Sequence, residues 1–229
     1  MTPWLLASGN AHKLSEIGAI LADFDVALVT PRDLDLSMDV DEWGETFAAN
    51  AVIKATAYAA VTGRVTLADD SGLEVDGLGG APGVHSARYA GEGATDADNN
   101  AKLVAQLDAD PALDRTAQYR CVIAVAWPAS YAPADARRVA SPADVGPTDA
   151  AVVGNRWYVR TWAGAMPGRM ATEAKGAGGF GYDPYFVLDD GRHLAEVGAA
   201  EKNAMSHRGA ALAAMVPDLQ AAPGLVTGG

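Results

Sequence analysis

The sequence predicts an α/β fold with a mixed β-sheet and flanking helices, and three observations carry that expectation. Short apolar runs such as Trp4 to Ala7 and Tyr119 to Trp127 are each cut off by Gly, Asn, Asp or Pro, as strands are. Between the runs lie segments with apolar residues at helical spacing. The two kinds of segment mix without a strict strand–helix–strand rhythm, which favours a mixed sheet over an all-parallel one.

Taken in order, Trp4 to Ala7 reads as a short buried strand, broken by Ser8-Gly9-Asn10. Leu14, Ile17, Ile20 and Leu21 then recur at helical spacing. Val26 to Val29 reads as a strand, and a polar stretch runs from Thr30 to Trp43. An alanine-rich helix is expected over about 46–62, stopped by Gly63. Val65 to Ala68 reads as a strand that ends in Asp69-Asp70-Ser71-Gly72. The segment from Gly77 to Gly83 holds too many glycines for the interior of an element. A helix is expected from Asn99 to Leu107, with Asp96 or Asp98 near its start. Long strands follow at Tyr119 to Trp127 and Trp157 to Trp162. Pro128 to Asn155, dense in Ala, Pro and Asp, reads as a loop insertion. Pro184 to Leu188 reads as a last strand, and Ser206 caps a helix running to Val216. The whole, 1–229, is expected to be a single domain.

Composition narrows the function. The 229 residues include 17 Lys+Arg against 29 Asp+Glu, a net charge of −12. Such a balance opposes non-specific attraction to nucleic-acid polymers or anionic membranes and leaves small anions open. The chain has only five lysines, Lys13, Lys54, Lys102, Lys175 and Lys202. The lone Cys121, in an apolar alternation, excludes an intrachain disulfide and reads as a buried small hydrophobe. No apolar stretch is long enough for a membrane span, and the N-terminus lacks the basic start of a signal peptide, so a cytoplasmic setting is expected.

Five segments carry chemistry. In Ser8-Gly9-Asn10-Ala11-His12-Lys13 a turn between strand and helix offers backbone N–H groups, two polar side chains and a lysine to an anion. An ordinary capped turn has the same composition. Asp69-Asp70-Ser71-Gly72 puts hard oxygen ligands suited to Mg²⁺ at a strand end, although it is also good turn chemistry. Strand alternation lets only one of the two aspartates face a site. Thr46, Asn50 and Lys54 share a helical face preceded by Glu42 and Glu45, a pattern that solvated helices also show. Gly176, Gly178 and Gly181 match a dinucleotide-binding spacing, but Tyr182-Asp183-Pro184 follows where a helix should open. That loop reads instead as one delivering Phe180, Tyr182 and Asp183 to a base. Last, Lys202 precedes a helix start with His207 and Arg208 in its first turn. The charge of Arg208 opposes the dipole there and calls for a compensating anion or carbonyl.

Each segment alone is weak, but their order is not. Ser8-Gly9-Asn10…Lys13…Glu16, Thr46-Phe47…Asn50-Ala51…Lys54-Ala55, Ala68 to Asp76, Leu78 to Gly91, Gly178 to Pro184 and Ser206 to Ala210 together resemble the Ham1-type inosine/xanthosine triphosphate pyrophosphatases. The resemblance spans essentially the whole chain. It implies an elongated mixed β-sheet with flanking helices, two lobes around a central cleft, and a homodimer. The implied activity is Mg²⁺-dependent hydrolysis of ITP, dITP and XTP to the monophosphate and pyrophosphate. By matching position, Asp70 resembles the catalytic carboxylate, and Glu42 and Asp70 the metal ligands. Ser8 through Lys13 resembles the triphosphate cradle, where Ala11 and His12 act through backbone. Lys54 and Ser71 resemble substrate contacts, and Phe180, Gly181, Tyr182, Asp183, Lys202, His207 and Arg208 the base pocket. A related pyrophosphatase with another base preference, or a catalytically silent nucleotide sensor, are the rival expectations. Retention of Glu42, Asp70 and Lys13 together argues against the sensor.

Overall fold

The computed structural model describes residues 3–9, 11–22, 24 and 26–227. Its strands are β1 (Trp4–Leu6), β2 (Leu28–Val29), β3 (Thr66–Val75), β4 (Thr116–Pro128), β5 (Arg138–Val139), β6 (Ala150–Val153), β7 (Trp157–Met170) and β8 (Phe186–Val187). Its helices are α1 (Ala11–Ala22), α2 (Phe47–Thr62), α3 (Asp96–Ala109), α4 (Ala199–Met205), α5 (His207–Ala221) and α6 (Gly224–Thr227). Among the described residues the strands form one eight-stranded sheet in the order β2-β1-β3-β4-β7-β6-β5, with β8 on β7. It is mixed: β1 runs parallel to β2 and β3, and β5 parallel to β6, while β7 is antiparallel to β6 and β8.

The chain divides into two compact units. Unit 1 comprises 1–70, 121–164 and 208–229; unit 2 comprises 71–120 and 165–207. In unit 1, alternate residues of β4 (Cys121, Ile123, Val125, Trp127) join Trp4, Leu6 and Leu67 from neighbouring strands in one core. Ile17 and Leu21 of α1 and Leu212, Met215 and Leu219 of α5 pack into it. Trp127 is its centre: it meets Trp4 edge-on at 5.7 Å, and its indole N–H donates to Leu225 O at 2.8 Å. Unit 2 has its own core, in which Leu103 and Leu107 of α3 join Leu73, Val75, Tyr119, Met166 and Phe186.

Local chemistry accounts for the helix limits. The Thr46 hydroxyl accepts from Ala49 N–H, and Gly63, left-handed, closes α2 at the expected residue. In α3 the cap is Thr95, in a reciprocal box with Asp98, so the helix starts at Asp96, three residues before the expected Asn99. α5 passes through Pro217 to Ala221, beyond the expected end at Val216.

Two expectations need correction. Asp69-Asp70-Ser71-Gly72 does not end its strand, because β3 continues through it to Val75. Pro128 to Asn155 is not one loop, because it contains β5 and β6. A turn at Pro142–Asp144 is held by a box between Ser141 and Asp144 and packs on α2, and Val145 beside it is buried.

Candidate active site

In unit 1, β3 delivers two adjacent aspartates into opposite electrostatic surroundings. Asp69 is 2% exposed. Lys13, from the first turn of α1, lies 2.8 Å from its carboxylate, and Arg208 Nε, from the first turn of α5, lies 3.3 Å away. Burial pushes the Asp69 carboxyl up, but Lys13 and Arg208 outweigh it and hold the group below the usual carboxylate range. Arg208 thus finds the compensating anion its helix position requires. The thiol of Cys121, pushed up by burial and by Asp69, is a neutral neighbour on the same carboxylate.

Asp70 goes the other way. Burial, with the charges of Glu42 and Asp69, pushes its carboxyl up to about 6, against the pull of Lys54 and a hydrogen bond from Asn50. Lys54 Nζ spans Glu42 Oε1 at 2.9 Å and Asp69 O at 3.3 Å. Asn50 is 1% exposed, and its Oδ1 accepts from Gly44 N–H at 2.8 Å, so its amide is locked before it reaches Asp70. A Cβ at residue 44 would lie 2.6 Å from that Oδ1, so only glycine admits the contact.

Among the described residues no three His, Cys, Asp or Glu side chains form a metal-binding group. Glu42 and Asp70 nevertheless suit Mg²⁺, which commonly takes one or two carboxylates and fills its remaining positions with water and substrate phosphates. Burial raises Asp70 most, and a shared cation would relieve the repulsion from Glu42 that adds to it.

Ser8 and Gly9 lie between β1 and α1, as the sequence predicts, with Lys13 beyond them. Asn10 lies outside the described residues, and Ala11 and His12 are described only as the helical start of α1.

In unit 2 the base-pocket expectations divide. Phe180 exposes its ring, 62% accessible, with Lys202 Nζ 4.5 Å from the ring centroid. Tyr182 is buried, its hydroxyl donating to Ser86 O at 2.8 Å, so it serves the core rather than an aromatic platform. Asp183 is buried too. Its carboxylate accepts from Phe180 N–H at 2.9 Å and Tyr119 Oη at 3.1 Å, and pairs with Lys202. It therefore anchors its own loop rather than facing outward as a polar reader. His207 stacks on the Tyr119 ring at 5.2 Å and 14°. Ser71, half-buried, follows Asp70 on β3.

Sequence reasoning missed Asn50 as more than a helix face, and it missed Tyr119, which meets Asp183 and His207. Asn50 had one usable signal, its position one turn before Lys54 on a single face. Tyr119 makes contacts too distant in sequence to be read from spacing.

A mixed-sheet α/β protein that sets one ionised and one high-pKa carboxylate side by side, among lysines and an arginine, is equipped to hold phosphate-bearing anions and to move a proton. This chain belongs to the Ham1 family, whose profile matches residues 4–141 and 147–218. It is 42% identical over 214 residues to a dITP/XTP pyrophosphatase of Geobacter sulfurreducens, covering 93% of this chain and 94% of that protein. It is 39% identical to a dITP/XTP pyrophosphatase of Escherichia coli O157:H7, covering 94% of this chain and 97% of that one. Among solved structures, a HAM1 protein from Coxiella burnetii superposes with a TM-score of 0.79 at 37% identity, covering 97% of this chain and 100% of the other. The family match skips 142–146, so the part of 128–155 that stands apart is the turn at Pro142–Asp144 and the two residues after it.

Proposed function

We propose that this protein hydrolyses the non-standard purine nucleoside triphosphates ITP, dITP and XTP to the monophosphate and pyrophosphate, and so cleanses the nucleotide pool. It is a hydrolase of the α–β phosphoanhydride bond. The observation that supports this best is the arrangement around Asp70, a carboxyl set beside Glu42, Lys54 and the paired Asp69. A carboxylate there is ionised near neutral pH and can accept a proton from water.

In the proposed reaction Asp70, oriented by the Asn50 amide, accepts a proton from the water that attacks the α-phosphorus. The water oxygen bonds to phosphorus as the bond to the bridging oxygen breaks, and pyrophosphate leaves. Glu42 and Asp70 would hold Mg²⁺, which when bound screens charge on the phosphate oxygens. Lys13 and Lys54 neutralise the phosphate tail, and Ser8, Gly9, Asn10, Ala11 and His12 are the residues the resemblance implies as donors to it. Ser71 contributes a hydroxyl contact to the substrate. Phe180 offers a face for the purine, with Gly181, Tyr182 and Asp183 shaping its loop and Lys202 and His207 as polar neighbours. A 6-keto purine presents an acceptor that a cation satisfies, whereas adenine presents an amino donor there; Arg208, the cation the resemblance implies for that role, is held by Asp69 in unit 1.

The proposal extends to a homodimer in the cytoplasm, both supported by the family resemblance. Among the described residues no helix is long and apolar enough to cross a membrane. The test is pyrophosphate release from ITP, XTP, dUTP, GTP and ATP, with and without Mg²⁺. Turnover of ITP and XTP that requires the cation is expected. Preference for dUTP or for ATP would overturn the base assignment, and no release from any nucleotide would overturn the activity.

A further inference from the structure

The exposed ring of Phe180 is carried on a loop whose peptide groups are tied down from elsewhere in unit 2. The N–H of Phe180 goes to the Asp183 carboxylate. The N–H of Gly181, on the peptide that follows Phe180, donates to Asp96 Oδ2 at 2.6 Å. The C=O of Gly181 accepts from Asn100 Nδ2 at 2.8 Å. Three successive peptide planes are thus fixed around one aromatic residue. Asp96 and Asn100 stand one turn apart on one face of α3, and Asn100 Nδ2 also holds Asp96 O at 2.8 Å.

An aspartate in a first helical turn ordinarily serves the dipole and the free N–H groups. Here that duty is discharged by the box between Thr95 and Asp98. The Asp96 carboxylate is turned instead to a glycine 85 residues away in sequence. Asn100, 7% exposed, likewise spends its amide on the same glycine.

We infer that Asp96 and Asn100 are positioning residues for base recognition: they clamp Gly181 so that the Phe180 ring stands ready to stack on a purine. The inference rests on the proposed reading of Phe180 as the base platform. Its physical content is preorganisation. A loop free to sample other conformations would be ordered at the moment of binding, so loss of the clamp weakens binding of the base and leaves the phosphate chemistry alone.

The experiment compares Asp96→Ala, Asp96→Asn, Asn100→Ala and Phe180→Ala with the unaltered protein in steady-state hydrolysis of ITP, alongside thermal melting. Asp96 is exposed, so its variants keep the fold. Asp96→Ala is expected to raise KM for ITP about tenfold, the worth of one charge-assisted hydrogen bond, with kcat within about twofold. Asp96→Asn keeps an oxygen acceptor for Gly181 N–H and is expected to restore most of the affinity. Asn100→Ala should repeat the KM effect. Phe180→Ala should raise KM at least as far. An unchanged KM in Asp96→Ala alongside a raised KM in Phe180→Ala would overturn the clamp alone. An unchanged KM in Phe180→Ala would overturn the base platform, and the inference with it. A fall in kcat that tracks a fall in melting temperature would mean a purely structural role, and would also overturn it.

Discussion

Replacing Asp70 by Asn should abolish turnover and make the metal-free protein more stable, whereas the same change at Asp69 should destabilise it. The Asp70 carboxyl stands at about 6 against an ordinary 3.8. A raised carboxylate pKa means the folded state holds its proton more tightly than the unfolded chain. As pH rises past 3.8 the unfolded chain ionises first, so this group costs stability progressively, and the cost levels off once pH passes about 6. The shift corresponds to about 3 kcal/mol at pH 8 and roughly half that at pH 5. Asn carries no charge to desolvate, so Asp70→Asn should recover much of it, or about 5–10 °C in melting temperature for a chain of this size. Asp69 is the reverse case, since its removal strands Lys13 and Arg208 around a buried position, at a cost of about 3–5 kcal/mol. The assay is thermal melting at pH 5 and pH 8 in the presence of a chelator. An Asp70→Asn protein that melts at or below the parent temperature at pH 8, or a gain no larger at pH 8 than at pH 5, would refute the reasoning.

Asn50→Ala should lower kcat about 10- to 100-fold with little change in KM, because Asp70 loses its orienting amide and the Gly44 N–H loses its acceptor; initial rates with ITP report it. Gly179→Ala should destabilise and inactivate together, since a Cβ there falls 2.0 Å from Asp183 Oδ2 on a backbone with φ of +77°; melting and turnover measured on one preparation check this. Val145→Asp should cost about 3 kcal/mol or more by placing a charge at a buried position next to α2, read by urea denaturation. Inorganic triphosphate should bind measurably by calorimetry only when Mg²⁺ accompanies it.

Much of the fold was legible because its causes are local. Thr46 and Gly63 announce the ends of α2 by side-chain and backbone chemistry that any helix shares. The alternation of Cys121, Ile123 and Val125 announces a buried strand face. β3 was read short because two consecutive acids look like a turn. What lets the strand continue is the neutralisation of Asp69 by Lys13, 56 residues earlier, and Arg208, 139 residues later. β5 spans two residues and β6 four, too few to show a period within an Ala- and Pro-rich segment. The same rule divides the site. The resemblance implied Glu42, Lys54 and Asp70, which the structure sets close together, whereas Asp183 and Tyr182 turn inward because Tyr119, Lys202 and Ser86 wait for them inside unit 2.

The charge count of the chain takes on a different meaning at the site. Among the described residues, the group around Asp70 sets the carboxylates Glu42, Asp69 and Asp70 against the cations Lys13, Lys54 and Arg208. With Asp70 ionised the two signs cancel, so the scarce lysines do not create a strongly positive patch. A triphosphate brought to such a group would gain little Coulomb energy overall, and it would have to draw Lys13 and Lys54 from carboxylates that already hold them. A divalent cation changes that balance from the other side. Placed on Glu42 and Asp70, it would offset the charges that hold Lys54, freeing the lysine for the phosphates, and would favour the ionised Asp70 carboxylate against the burial and the Glu42 charge that raise it. On the proposed reading, cation and substrate would be coupled through the same few side chains, and each should bind more tightly in the presence of the other by the same factor.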